Sequence, residues 1–583
     1  MAGTVAELKG LMDRDQLAVS ISQMWDSNVA QRSVYDEEIS ELRNYVFATD
    51  TTTTTNSKLP WKNSTTQPKL CQIRDNLHAN YISALFPNDD WLRWEAYSQD
   101  GATKKKRIAI QEYIANKVRM SDFRQTVSQL LYDYIDTGNA FADAEWVDER
   151  TIDVETGEVI NGFVGPKAIR HSYYDITFNP LAADWKHTPK ITRTVKTMGE
   201  LKWDVANKPE MRYLEEAVAK AEDMRGKMTG YRPSDVKKAL GFTVDGFGDM
   251  QTYYQSGVVE ILELEGSMHD PDTGEYLQNY IITILDRTHV LRKVKNPSWL
   301  GQGYKQHVGW RLRPDNLYAM GPLSNLVGLQ YRLDHLENLK ADLFDLAAAP
   351  PLVIKGNVDE FEWGPFAKVY MDENGSVDLM RVESAAFSAG IDIENIKRNM
   401  EEFAGAPREA MGIRTAGEKT AFEVQTLSNA GNRIFQEKIT NFEINILEPL
   451  LNAMLELARR NLDGTDIIRV MDNDIGTENF LSVTKEDITA NGKLRPIGAR
   501  HFASQAQLVQ NLTSLSNTPI WQATLPHLSS ISLAKLVEDV MGLSRFALFQ
   551  ENIAITEQQE TQRLANQSQE DLQMEQSTEV EPI

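Results

Sequence analysis

From Gly321 to Ala349 the sequence GPLSNLVGLQYRLDHLENLKADLFDLAAA keeps a helical pattern for more than two dozen residues, then meets Pro350 and Pro351. Leu326, Leu329, Leu333, Leu336 and Leu343 alternate spacings of three and four, with Lys340 and Ala347 at the intervening seam positions. Leu339 and Leu346 widen the stripe beyond a two-helix seam. Alone, such a helix reads as one core element of a bundle. The two prolines oppose that reading, because neither can continue a helix. The next segment, PLVIKGNVDEFEWGPFAKVYMDENGSVDLMRV, is a compact strand-and-turn pattern, and helical periodicity returns only at DIENIKRNMEEFAG (392–405). A helix leaves, a small β unit succeeds it, and a second helix comes back. A unit of that size buries little core by itself. Neighbouring copies of the same chain supply the missing partners, so the pattern predicts a ring or a similar assembly.

The rest of the chain reads as several modules, as 583 residues require. Residues 14–48 carry one or two amphipathic helices, and the Thr-rich stretch 49–69 is a loop. Helical pattern resumes over 70–86 and over 104–137, the latter opened by Lys104, Lys105, Lys106 and Arg107 on what reads as a solvated face. Strand-like pieces fill 140–195. DVETGEVI (153–160) and DPDTGEYL (270–277) read as hairpin turns, since their Asp and Gly lack the ligand spacing of a calcium loop. The apolar run YIITIL (280–285) suits a buried strand. Helical pattern dominates 197–240, and the longest helix is expected from Thr420 to Arg460, disturbed at Pro449. Strands come next over 466–484, then a mainly helical stretch from 498 to 550, then a Gln- and acid-rich tail. The fold class expected is α+β, mainly α.

Chemistry is sparse. GIRTAGEKT (412–420) is the one string near a phosphate-binding loop, but Glu418 separates Gly417 from Lys419 and puts a carboxylate where phosphate oxygens would sit. No His-Glu-x-x-His, cysteine cluster or nucleophile elbow accompanies it, so no catalytic residue, metal site or cofactor is expected. Cys71 is the sole cysteine, which excludes an intrachain disulfide and suits assembly in a reducing interior. The first residues are charged too early for a secretory signal, and no apolar run approaches a membrane span, so a soluble protein is expected. The formal net charge of −23 argues against a protein that grips nucleic-acid phosphates, though not against one that encloses nucleic acid.

Three stretches, IRDNLHANYISALFPNDDWLRWEA (73–96), YAMGPLSNLVGLQYRLDHLENLKADLFDLAAAPPLVI (318–354) and GEKTAFEVQTLSNAGNRIFQEKITNFEINILEPLLNAMLELARR (417–460), occur in an order that resembles the portal proteins (head-to-tail connectors) of tailed bacteriophages, especially short-tailed ones. The resemblance covers roughly residues 15–550 and rests on pattern and order of elements rather than on a catalytic fingerprint. It implies N-terminal helices and an α/β wing over 1–320, a stem helix at 321–349, a clip at 350–388 and a returning stem helix at 389–405. It further implies a tunnel loop at 406–419, a wing helix and strands over 420–490, a crown at 491–550 and a tail at 551–583. The stem seam would be Leu326, Leu329, Leu333, Leu336 and Leu343. Arg408, Arg414 and Lys419 would face DNA in the tunnel loop, unless they pair with Glu409, Glu418 or neighbouring subunits. Phe361, Trp363 and Phe366 would bind partners at the clip, unless they form its own core.

By the same resemblance the protein is no enzyme. It would be a homo-oligomeric ring at one capsid vertex of the virion, assembled in the host cytoplasm, through which double-stranded DNA is packaged and ejected. Its partners would be the terminase large subunit, a tail adaptor or head-completion protein, and the major capsid and scaffolding proteins, with no membrane and no cofactor. Twelve copies, the usual ring of the family, would set inner helices ~10 Å wide around a circumference on the order of 120 Å and leave an opening of roughly 28 Å, enough for a DNA duplex. A mostly negative wall would repel the duplex toward the axis. The alternatives are a different structural ring protein of the virion and, against the broken phosphate loop, a packaging ATPase.

Overall fold

The computed structural model describes residues 15–47, 63, 65–86, 91–98, 104–149, 151–152, 159–160, 162–208, 211–228, 257–299, 303–348, 352–356, 370, 374–379, 389–405, 434–462, 464–471 and 478–496. About half of these residues are helical and more than a quarter lie in strands, all of them paired antiparallel, so the fold is α+β. The chain forms two compact units, Met1–Ser83 with Val118–Asn461, and Ala84–Lys117 with Leu462–Ile583.

In chain order the elements are α1 (Gln16–Phe47), α2 (Lys69–Leu85), β1 (Leu92–Ala96), α3 (Lys104–Met120), α4 (Phe123–Asp136) and β2 (Asn139–Asp148). Short strands β3 (Thr151–Ile152) and β4 (Val159–Ile160) precede β5 (Val164–His171), β6 (Ile176–Phe178), β7 (Lys190–Thr197), α5 (Met198–Asn207) and α6 (Glu215–Met228). Strands β8 (Val258–His269), β9 (Tyr276–Leu285), β10 (His289–Lys295), β11 (Gln306–Gly309), β12 (Arg311–Arg313) and β13 (Asn316–Met320) lead to α7 (Val327–Ala348). Then come β14 (Leu352–Lys355), β15 (Ser376–Leu379), α8 (Ala389–Phe403), α9 (Glu448–Asn461), β16 (Thr465–Met471), β17 (Glu478–Thr484), α10 (Lys485–Ile488) and β18 (Gly492–Pro496).

The larger unit is built on a five-stranded sheet in the order β10-β9-β8-β7-β6. Strand side chains alternate between faces, and this sheet is covered on both. Leu262, Leu264, Ile282 and Ile284 turn one way and pack on Leu17, Ile21 and Trp25 of α1. Val259, Ile261 and Leu285 turn the other way onto Leu201 of α5 and Val218 and Ala221 of α6. That double burial is why YIITIL is a continuous apolar run. A second sheet, β11-β2-β5, contributes Phe141 to a core with Ile39, Phe178 and Tyr318. Arg32 of α1, itself buried, donates to the carbonyls of Tyr173 (2.8 Å), Ile176 (2.7 Å) and Tyr174 (3.1 Å) and so fixes the helix across that core. Inside the same unit Lys305 is buried against Glu263 (2.9 Å), Glu265 (3.1 Å) and Asp143 (3.4 Å).

Three local expectations meet a physical qualification. The helix read over 104–137 is two helices, α3 and α4, because Asp122 adopts φ 52°, a left-handed conformation that Asp tolerates better than most residues. The disturbance expected at Pro449 appears as a π turn over Glu443–Leu447, immediately before Pro449, which lacks the N–H for a regular turn. DPDTGEYL is the hairpin turn between β8 and β9, where Gly274 takes φ 73° and the Asp270 carboxylate accepts from Lys293 and from the Asp272 N–H. For DVETGEVI only the flanking pair β3 and β4 is described, and it is antiparallel.

One junction aims the central hairpin. Gly138, at the end of α4, has φ 75°, and a Cβ there would lie 2.3 Å from the backbone nitrogen of Gly321. Backbone meets backbone with no room for a side chain, so the chain entering α7 is seated directly on the end of α4. In the smaller unit β1 pairs with β18, Leu92 opposite Pro496 through Ala96 opposite Gly492, and Lys117 is buried against Asp466 at 2.7 Å.

Candidate functional site

Helix α7, the β14–β15 ribbon and helix α8 form the helix–ribbon–helix that the double proline predicts. The apolar stripe of α7 is divided by the fold. Leu326, in the 3-10 turn that opens the helix, and Leu333 are fully buried in their own chain. Leu329, Leu336 and Leu343 are half-buried, as is Leu339, and Leu346 is exposed. At 100° per residue these last five lie within an arc of about 100°, which adjoins Leu326 and Leu333 and turns progressively away from them, furthest at Leu339 and Leu346. The chain therefore consumes one part of the stripe and leaves another open.

Helix α8 covers part of the inner side. It buries Ile393, Ile396 and Met400, and Lys397 reaches Glu337 of α7 at 3.5 Å. Lys69, at the start of α2, forms a buried ion pair with Glu401. Ile391, on the opposite side of α8, is 71% exposed, and Phe403, the last position of the same stripe as Ile393, Ile396 and Met400, is 62% exposed.

A polar face of α7, unmarked in the sequence, holds the end of the Thr-rich segment. Gln330, Asp334, Asn338 and Asp342 recur every fourth residue and bind Asn63, Thr65 and Gln67, alternate residues of the strap before α2. The Gln67 N–H donates to Asp334 (2.9 Å) and the Gln67 carbonyl accepts from Gln330 (2.6 Å). Thr65 N–H donates to Asn338 Oδ1 (2.9 Å), whose Nδ2 donates back to the Thr65 carbonyl (3.0 Å). Asn63 N–H donates to Asp342 (3.0 Å). The match is metric: two residues of extended chain advance about 6.6 Å, and four helical residues about 6 Å. The loop expected over 49–69 thus ends in a tether, stopped at Pro68 just before α2 begins.

Burial pushes the Asp334 carboxyl up from 3.8 to about 6, against the opposing pull of its bonds from Gln67 and Gln330. A carboxyl raised in the fold stabilises least when ionised. Its cost is complete above pH about 6, and it fades as pH falls toward 3.8, where folded and unfolded chains are both protonated. Asp334→Asn keeps the acceptor and removes the charge. It is expected to raise stability at pH 7 by roughly 1 kcal/mol after allowance for partial solvent access, and by almost nothing at pH 4. Thermal melts of both proteins across that range check the sign; a variant equally displaced at every pH would refute it.

Of the other side chains singled out in the sequence, Phe361, Trp363, Phe366, Arg408, Arg414 and Lys419 lie outside the described residues, as does GIRTAGEKT. Of the basic run, Lys105 pairs with Asp487 at 2.9 Å. Among the described residues no group of three or more His, Cys, Asp or Glu side chains is placed to hold a metal ion. No described helix is long and apolar enough to cross a membrane. His78 and Ser128 share a hydrogen bond of 2.9 Å between α2 and α4, but the His78 ring is stacked on Tyr132, and the contact reads as packing. No protein-family model matches the chain, and no curated protein matches it.

Proposed function

We propose that this chain is a phage portal protein: a ring-forming, non-enzymatic conduit for double-stranded DNA at one capsid vertex. The observation that carries the reading is where apolar surface remains open in the isolated chain. Of the 23 exposed large hydrophobic side chains among the described residues, ten fall between Tyr331 and Ile444, on the helix–ribbon–helix and the helix after it. Soluble monomers seldom leave much such surface in one place, and its concentration along this stretch of the chain supports burial against further copies. The wing, clip, tunnel loop and crown assigned from the resemblance belong to this proposal, as do the terminase, tail adaptor, capsid and scaffolding partners. The net charge of −23 supports a wall that keeps DNA sliding rather than bound.

Native mass spectrometry and negative-stain microscopy of the purified chain test the reading together. Closed rings shaped as a flanged funnel are expected at micromolar concentration. A plain tube would favour another structural ring protein of the virion, and stable monomers and dimers alone would count decisively against a portal. Nucleotide turnover by the pure protein would revive the ATPase alternative.

A further inference from the structure

The open side of α7 is a regular seam. Positions 329, 332, 336, 339, 343 and 346 alternate spacings of three and four, the repeat that keeps one stripe facing a partner helix. Five of the six are leucine, and the sixth is Arg332. It is exposed, and among the described residues it makes no hydrogen bond or ion pair. Its own helix offers no reason for a cation there. A guanidinium enclosed in an apolar seam is costly unless a carboxylate meets it. A lone polar residue in such a seam is also the usual means of fixing register and copy number.

Accepting the ring proposed for this chain, on which the inference rests, we propose that Arg332 pairs with Glu402 of the next copy and so sets the register between subunits. Height along the hairpin selects the partner. Two contacts give the helices opposite directions: Lys397 meets Glu337 at 3.5 Å, while Glu401, one turn further along α8, pairs with Lys69, two residues from the Gln67 that Gln330 and Asp334 hold nearer the start of α7. Five residues back along α7 from Glu337 is Arg332, and five residues onward along α8 from Lys397 is Glu402. Equal helical rise puts the two at one level. Rotation about an axis running along the hairpin preserves level, so the Glu402 that each Arg332 meets on the neighbour is at its own height. Glu402 is available: its side chain is 58% exposed, and its only ion pair among the described residues is a 3.7 Å contact with Arg398 one turn away, an exposed pair of little worth. Phe403 stands exposed beside it and offers the apolar counterpart to Leu329 and Leu336. Overall the chain is acidic, so an unpaired arginine in its open seam is complementary to another copy of itself.

The test is a charge swap read by native mass spectrometry of the full chain, with circular dichroism confirming the fold of each variant. Arg332→Glu is expected to lower the ring population about tenfold or more at micromolar protein, because two carboxylates would then face each other in every interface. Glu402→Arg added to Arg332→Glu is expected to restore rings of the wild-type copy number. Arg332→Leu, which completes the apolar seam, is expected to keep assembly and broaden the distribution of copy numbers. Wild-type rings with an undiminished Arg332→Glu population, or a double variant no better than the single one, would overturn the pairing while leaving the ring intact. Absence of rings from the wild-type chain would overturn both readings at once.

Discussion

Lys305→Met is expected to destabilise the larger unit by about 3–5 kcal/mol, the usual consequence of removing one partner from a buried ionic cluster. The ammonium is enclosed by Glu263, Glu265 and Asp143, from strands β8 and β2 of two different sheets. Burial alone would strip its proton, yet the three carboxylates outweigh burial and hold it well above the usual lysine range. In return, burial would raise the Asp143 and Glu263 carboxyls, but Lys305, with His171 beside the first and Arg292 beside the second, holds both below their ordinary range. Methionine fills the volume and leaves those charges facing one another. The cluster also has no slack: a Cβ at Gly303 would lie 0.8 Å from a carboxylate oxygen of Glu265.

The pH dependence separates lost charge from lost packing. Depressed carboxyls stabilise the fold above their ordinary range, and that contribution is lost as pH falls through their folded values. In the variant the same carboxyls lose their cation and protonate more readily in the fold. The deficit relative to wild type should therefore be largest near neutrality and shrink in acid. Urea unfolding at several pH values measures it, and a deficit independent of pH would mean that only packing had been disturbed.

How far the sequence is legible depends on the distance over which each feature is encoded. The central hairpin is legible because a proline pair, an apolar period and a second helical pattern lie within one continuous segment. The β1–β18 ribbon is not, since Leu92–Ala96 and Gly492–Pro496 are brought together across almost the whole chain and neither segment signals a partner. The close approach of Gly138 and Gly321 is hidden for the same reason, because two ordinary glycines carry no sign that their backbones touch. The polar ladder on α7 fails differently. Gln330, Asp334, Asn338 and Asp342 look like a solvated helix face, and Asn63, Thr65 and Gln67 look like the end of a loop. Only their matched repeat distances make one a rail for the other. The leucine stripe shows both cases in one element: its period is plain from sequence, but which leucines turn inward is decided by α8, the strap and the core. Tertiary contact, not periodicity, separates Leu333 from Leu339.

That separation gives the second large effect. If the chain assembles as proposed, Leu339→Asp is expected to abolish its rings while leaving the chain folded, and Leu333→Asp to unfold it. Leu339 is half-buried on the open side of α7, so in an isolated copy an aspartate there keeps much of its hydration. Between copies the same carboxylate would be enclosed among Leu336, Leu343 and Leu346 and the helix of a neighbour, where an unpaired charge costs several kcal/mol. Closure of the proposed ring would repeat the penalty at every interface. Leu333 is fully buried inside its own chain, so a charge there disrupts the fold before any assembly begins. Thermal melts and native mass spectra of the two variants should therefore dissociate: wild-type melting without rings for Leu339→Asp, and lost cooperative melting for Leu333→Asp. Rings of normal abundance from Leu339→Asp would place the open side of α7 in solvent and remove the surface on which the assembly rests.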